Sequence, residues 1–185
     1  MSDMRARMLA GEMYLASDPV LVEEQQRCFL LMEQYNAASL TELEIRDRLL
    51  RELVGSVGEG VVVRSPVHFD YGTHTSIGDR TFINYGAVIL DVGRVTIGSD
   101  VQIGPNVQLL TPIHPMDAAE RRAGWEAQKP VSIGDGVWLG GGVIVCPGVR
   151  IGEDTVIGAG AVVTRDVPPG VFAAGNPCRV IRDLR

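Results

Sequence analysis

The sequence predicts a mainly β protein: a parallel β-helix of about five coils, with an N-terminal helical cap and a long loop leaving the third coil. Three observations lead there. A large apolar residue recurs every six positions, as at Val57, Val63 and Phe69, then Ile77, Ile83 and Ile89, then Ile97, Ile103 and Leu109, then Ile133, Leu139, Val145, Ile151, Ile157 and Val163. The beat breaks only after a third repeat, with steps of eight from Phe69 to Ile77 and from Ile89 to Ile97, and of twenty-four from Leu109 to Ile133. Residues 3–54 lack the beat and show helix-start and helix-stop signals instead. A period of six fits neither an amphipathic helix nor a plain alternating strand. It is the signature of a hexapeptide β-helix, in which each repeat makes one short strand and one turn.

With three repeats per coil, all the insertions fall at one corner of a triangular prism. Loops on solenoids cluster on one face, which is often the binding face. The position four residues after each apolar one is small or apolar too, as at Val61, Thr81, Val101, Val137 and Thr155. Glycine follows the apolar residue at Gly134, Gly140, Gly152 and Gly158, where the missing Cβ permits tight corners.

In chain order, Asp3–Ala10 reads as a short helix ended by Gly11. Asp18 then reads as an N-cap with Pro19 at the first helical position, opening a helix to about Tyr35. Thr41 and Glu44 fit a capping box that opens a third helix, ending near Val54-Gly55. Residues 1–55 therefore form a cap, because an open coil exposes unpaired edge groups. Tyr14 and Asp18, polar-tipped and near a turn, are placed to add to one wall of a site. The β-helix spans residues 56–164, with its loop at 110–132. Residues 165–185 form a tail, in which Val171, Phe172, Val180 and Ile181 are expected to return as a strand. Arg165, Arg179, Arg182 and Arg185 concentrate there.

Composition bounds the function. A net charge of −6 argues against a nucleic-acid partner, which calls for a basic face. The three cysteines, Cys28, Cys146 and Cys178, show neither a disulfide framework nor zinc spacing. No signal-peptide pattern opens the chain and no stretch is apolar enough to span a bilayer, so a cytoplasmic location is the default and no membrane partner is expected.

The special corner gathers the chemistry. Equivalent positions on successive coils stack about 4.8 Å apart. The phase puts Asp70 and Asp91 along one edge with His114, where the long loop begins. Asn84 stands where the second repeat usually has glycine. Asp and Asn also suit turns for local hydrogen-bond reasons. His114, between Ile113 and Pro115, is the obvious titratable group for base chemistry near neutral pH. His74 shares its phase but lies two coils away, about 9.6 Å. Ligands of one zinc ion lie about 2 Å from the metal, so no metal site is expected within one chain.

The repeats, Met8-Leu9-Ala10-Gly11-Glu12-Met13-Tyr14, Asp70-Tyr71-Gly72, Ile113-His114-Pro115, Lys129-Pro130-Val131 and the Gly175-to-Ile181 tail resemble the hexapeptide-repeat acetyltransferases, in particular the maltose O-acetyltransferase branch beside the galactoside and nodulation O-acetyltransferases. The resemblance covers essentially the whole chain. It implies a left-handed coil, against the usual crossover rule. It implies a homotrimer with active sites between adjacent subunits, and direct transfer of acetyl from acetyl-CoA to a hydroxyl of a small sugar such as maltose or glucose. His114 matches the family's catalytic base. Asp70, Asn84 and Asp91 fall on or close to its acceptor-binding positions, with Asp70 standing where the galactoside branch has Ser. Trp138, Gly141, Ala159, Thr164, Arg165, Arg179 and Arg182 match the CoA side, Arg165 replacing a common Lys. The glycine-rich turn Gly140-Gly141-Gly142 offers candidate backbone donors for an oxyanion. Three other readings stay open: a non-sugar hydroxyl acceptor, a trimeric zinc hydratase of the carbonic-anhydrase kind, and a non-catalytic scaffold.

Overall fold

The six-residue beat becomes three parallel sheets in the computed structural model, which describes residues 3–184. The first face stacks Ser56–Val57, Thr75–Ile77, Val95–Ile97, Val131–Ile133 and Arg150–Ile151. The second stacks Val62–Val63, Phe82–Ile83, Gln102–Ile103, Trp138–Leu139, Val156–Ile157 and Val171–Ala174, and is closed by the antiparallel strand Arg179–Asp183. The third stacks Val67–Phe69, Ala87–Leu90, Gln108–Leu110, Ile144–Val145 and Val162–Val163.

Register follows the sequence phase. Val57, Ile77, Ile97, Ile133 and Ile151 pair in one column. Val63, Ile83, Ile103, Leu139 and Ile157 form the second column, and Phe69, Ile89, Leu109, Val145 and Val163 the third. All but the half-buried Val57 are buried, and with Val101, Val107, Val137, Val143 and Val149 they form one continuous core. Because side chains alternate across each strand, these columns fill the prism while their neighbours face outward.

Five coils are complete and a sixth is partial. Val167 bridges Ile151, and Ala173 pairs with Ile157. The sixth coil escapes the six-residue pattern because the step from Val163 to Val167 is only four, and Ala173 replaces a large apolar residue. The returning tail strand is present: Val171–Ala174 pairs with Arg179–Asp183 across a bulge. Arg185 lies outside the described residues.

The N-terminal segment holds three helices: α1 (Asp3–Ala10), α2 (Pro19–Ala37) and α3 (Leu43–Leu53). Asp18 caps α2 by accepting from the Val20 N–H at 3.0 Å. The Thr41–Glu44 capping box does not form. Glu42 is the N-cap of α3 and makes no side-chain cap bond. A related arrangement lies two residues earlier, where Glu42 accepts from the Ser39 N–H at 2.9 Å while Ser39 Oγ accepts from the Thr41 N–H at 3.3 Å. That Ser-x-x-Glu pattern is equally well spaced and closes the turn before the helix.

Helices α2 and α3 cover the first coil, joining Cys28, Tyr35, Leu49, Leu50 and Leu53 to its core. They also satisfy its free strand edge, which would otherwise leave buried backbone groups unpaired. Asn36 donates to the Val67 carbonyl at 2.9 Å and accepts from the Val67 N–H at 3.0 Å, as a neighbouring strand would. Arg46 is 6% exposed, and its guanidinium donates to the carbonyls of Tyr35, Ala38 and Val63 at 3.1, 3.0 and 2.9 Å. It also lies 4.2 Å over the Tyr35 ring. Arg46→Ala should therefore destabilise the fold by about 3 kcal/mol, since it strands several carbonyls and removes packing. Arg46→Lys should lose more than about 1 kcal/mol, having no planar fork. Urea unfolding of both variants tests this.

Candidate active site

The long loop is ordered by the other end of the chain. Its strands Pro112–Ile113 and Trp125–Gln128 pair antiparallel, with helix α4 (Ala118–Arg122) at the tip. Tyr14–Leu15 adds a third strand, Tyr14 opposite Glu126 and Leu15 opposite Trp125. The buried Gln128 side chain donates to the Met8 carbonyl at 3.0 Å, and Arg7 lies 5.5 Å over Trp125. Met8, Tyr14, Leu21, Tyr71 and Val92 form a second apolar cluster under this contact. The first fifteen residues thus clamp the loop, while α2 and α3 act as the cap.

Asp91 shapes the floor. Its side chain is fully buried. Oδ1 accepts from the backbone N–H groups of Asp70, Tyr71 and Gly72 at 3.2, 2.9 and 3.1 Å, and Oδ2 accepts from Thr75 Oγ1 at 2.9 Å. In this structure Asp91 is thus a positioning residue, with no surface offered to a ligand. The turn it holds directs Asp70 outward. His74 Nδ1 lies 2.8 Å from the Asp91 carbonyl and its ring stacks on Tyr71 with centroids 5.0 Å apart. His74 is therefore fixed away from His114.

Above this floor lies a cavity of about 230 Å³. Asp70, Tyr71, His114, Glu126, Tyr14 and Gln25 supply its polar wall, and Ala16, Leu90, Val92 and Pro112 its apolar wall. His114 is 57% exposed, and its Nδ1 stands 3.9 Å from Glu126 Oε1. Tyr14 donates its hydroxyl to Glu126 Oε2 at 2.7 Å. Burial, then that hydrogen bond, pushes the Tyr14 phenol well above its usual range, so it stays a donor. Tyr71 is pushed up as well, chiefly by burial. Asp70 is pushed up to about 6 by burial first, then by Asp91 and Glu126. A larger cavity of about 690 Å³, beside His74, Ser76 and Arg94, contains neither His114 nor a carboxylate. The smaller one is therefore the candidate site.

The structure thus brings Asp70 and His114 together, with Asp91 behind them. It does not bring Asn84 to them within one chain. Asn84 follows the second-face strand Phe82–Ile83, at the opposite corner, and its Oδ1 accepts from the Tyr85 N–H at 2.9 Å. Gly141 and Ala159 lie at that same corner on later coils, the Gly141 carbonyl accepting from the Gly160 N–H at 2.9 Å. Trp138 projects from the second face, 55% exposed. Arg182 lies 5.9 Å over Phe172 and Arg179 donates to the Cys178 carbonyl at 2.8 Å. Thr164 and Arg165 follow the last third-face strand and are exposed. In Gly140-Gly141-Gly142, the Gly140 and Gly142 N–H groups already donate to Ile157 and Pro105 carbonyls at 2.8 Å each. That leaves Gly141 as the candidate donor of the three.

Glu126 and Gln25 are the polar wall residues that sequence reasoning missed. Glu126 sits in a loop without periodicity, and it reaches His114 through the pairing of its strand with Pro112–Ile113 on one side and Tyr14–Leu15 on the other. Gln25 lies on α2, where nothing in the helical pattern distinguishes it. Among the described residues, no group of three or more His, Cys, Asp or Glu is placed to hold a metal ion, and no helix is long and apolar enough to cross a membrane.

A β-helix with a histidine-and-carboxylate cavity at its looped corner defines the hexapeptide-repeat transferase class. Residues 7–58 match the maltose acetyltransferase hexapeptide capping motif, and residues 130–165 the bacterial transferase hexapeptide (six repeats). The chain is 41% identical to the galactoside O-acetyltransferase of Escherichia coli over 181 residues, covering 98% of this chain and 89% of that protein. It superposes on a maltose O-acetyltransferase from Clostridium difficile with a TM-score of 0.98, 45% identity, and coverage of 100% of this chain and 98% of that one. A hexapeptide-repeat-containing acetyltransferase from Vibrio cholerae, complexed with acetyl coenzyme A, superposes with a TM-score of 0.92, 39% identity and 100% of both chains. The chain belongs to the hexapeptide-repeat acetyltransferase family, in its maltose and galactoside O-acetyltransferase branch.

The raised Asp70 carboxyl has a consequence for stability. Its folded-state value of about 6 lies above the ordinary 3.9, so folding favours the protonated form. That contribution is fully present below about pH 4 and is lost as pH rises through 6. Asp70→Asn should therefore stabilise the protein at pH 7 by about 1–2 kcal/mol. The gain should vanish near pH 4, as thermal melts at the two pH values will show.

Proposed function

We propose that this protein transfers acetyl from acetyl-CoA to a hydroxyl of a small sugar such as maltose or glucose, with His114 as general base. The observation that carries the reading is the cavity in which His114 stands against Glu126, itself held by Tyr14, across from Asp70. A sugar hydroxyl is a poor nucleophile until a base takes its proton, and a positioned imidazole contributes roughly 10²–10⁴-fold to such a step. Glu126 on the Nδ1 side fixes the tautomer and leaves Nε2 for the proton, as the third member of a hydrolase triad does. The 3.9 Å separation is a free-enzyme geometry, and such contacts tighten in the reactive complex. The hydroxyl oxygen attacks the thioester carbon as its proton passes to His114. Collapse of the tetrahedral intermediate expels the CoA thiolate, which takes that proton back. Asp70 accepts hydrogen bonds from acceptor hydroxyls.

The acetyl-CoA side rests on the family match of Trp138, Gly141, Ala159, Thr164, Arg165, Arg179 and Arg182, the arginines suiting CoA phosphates. Since Asn84, Gly141 and Ala159 share the corner away from His114, the working site is formed between subunits. One copy in a homotrimer supplies His114 and Asp70, and its neighbour supplies Asn84 and the coenzyme groove. A cytoplasmic location goes with this reading.

CoA release from acetyl-CoA, measured with maltose, glucose, a galactoside and no acceptor, tests the proposal. Sugar-dependent release should fall about 10²–10⁴-fold in His114→Ala, with acetyl-CoA binding retained. Glu126→Gln should lower kcat about tenfold or more, because the imidazole loses its orienting charge. Sugar-independent behaviour with intact acetyl-CoA binding would send the search to non-sugar hydroxyls. No acetyl-CoA binding at all would overturn the assignment.

A further inference from the structure

The larger cavity, about 690 Å³, is of ligand size and has no part in the reaction described above. It opens on the first face, between the end of α1 at Leu9 and Ala10 and the strands Ser56–Val57 and Thr75–Ile77. None of the residues placed above in the acceptor site, the coenzyme groove or the contact between subunits lines it. Its polar groups lack partners. Gln128 is 8% exposed, its Nε2 donates to the Met8 carbonyl, and its Oε1 is buried with no hydrogen-bond partner. His74 Nε2 is buried and unpartnered as well. Among the described residues, the hydroxyls of Ser56, Thr73 and Ser76 and the exposed Arg94 guanidinium make no hydrogen bond or ion pair either.

These groups divide by chemistry. The Met8 contact orients the Gln128 amide, so the atom left over is an acceptor. His74 Nδ1 faces the Asp91 carbonyl, which can only accept. Nδ1 therefore carries the proton, and Nε2 of the neutral ring is an acceptor too. Buried acceptors left unpaired are costly, so this floor calls for a ligand that donates. The outer part has the opposite need. Arg94 is a cation with a planar fork of donors, the three hydroxyls can donate beside it, and no Asp or Glu lines the cavity. That local balance favours an anionic group, in a chain whose net charge is −6. Leu9, Ala10 and Pro130 add an apolar edge for a carbon skeleton.

We infer that this cavity is a second ligand site, which takes a small hydroxylated anion. The ligand is an organic phosphate or carboxylate whose hydroxyls donate to Gln128 Oε1 and His74 Nε2 while its anionic group lies against Arg94. The hydroxyls of Ser56, Thr73 and Ser76 complete the polar surround. This site binds its ligand without chemistry of its own, and it stands independently of the reading of the His114 cavity.

Isothermal titration calorimetry tests this on the whole protein, saturated with CoA so that the coenzyme groove is filled. The ligands are glucose 6-phosphate, gluconate, glucose and inorganic phosphate. Glucose 6-phosphate or gluconate should bind once per chain, about tenfold or more tighter than glucose, as expected when a charge-assisted pair is added. It should also exceed inorganic phosphate, which brings no carbon-borne hydroxyls to the floor. The better of the two organic anions tells phosphate from carboxylate. Arg94→Ala, a change at an exposed side chain, should weaken binding about tenfold, whereas Asp70→Asn and His114→Ala should leave it unchanged. Binding that survives Arg94→Ala but is lost in Asp70→Asn or His114→Ala would put the ligand in the smaller cavity and overturn the inference. So would glucose or inorganic phosphate binding as tightly as the hydroxylated anions, or no binding of either anion.

Discussion

The candidate site depends on one buried carboxylate. Asp91 has no exposed surface, yet it gathers three consecutive N–H groups of the preceding coil's turn and the Thr75 hydroxyl. An anion engaged by several fixed donors is held by strong hydrogen bonds in a low-dielectric setting, where leaving any of them unmade is costly. The next coil repeats the device in neutral form: Thr111 accepts from the Gly93 N–H at 2.8 Å and donates to the Leu90 carbonyl at 2.6 Å. Both short insertions at this corner are thus tied down by a side chain from the coil after them. Extra residues that would otherwise fray become a rigid floor.

The upper half of the site is organised differently. There the loop is irregular in sequence, and its order comes from the two-residue strand Tyr14–Leu15, from Gln128 on the Met8 carbonyl and from the small cluster around Met8, Tyr14 and Leu21. Tyr14 serves both purposes at once. Its ring is packed in that cluster and its hydroxyl donates to Glu126. His114 and Glu126, on the loop, and Asp70, on the first coil, therefore meet only because the coil and the clamp fix both halves.

How much of this was legible in the residues follows from periodicity. The columns of Val57, Val63 and Phe69 could be read directly because burial in a β-helix recurs at a fixed interval, and the same phase located Asp70, Asp91 and His114 at one corner. Spacing cannot tell an outward carboxylate such as Asp70 from one folded back onto a turn, as Asp91 is. Its alternation relative to Asp70, one residue later after the apolar position, was the available clue. Glu126 and Gln25 were not legible, because they arrive through contacts that have no period. The sixth coil was hidden by a shortened step and by Ala173. The capping box was misplaced by two residues because Ser39–Glu42 and Thr41–Glu44 carry overlapping versions of the same signal.

The clamp between Tyr14 and Glu126 joins residues 112 positions apart. On a ribosome adding 5–20 residues per second, the hydroxyl waits roughly 6–22 s for its carboxylate to be made. Three coils can stack in that interval, each closing its own ladder on the one before. The floor is therefore built during synthesis and the wall only after the loop emerges, so a nascent chain carries a folded scaffold without a finished pocket and acquires its chemistry late.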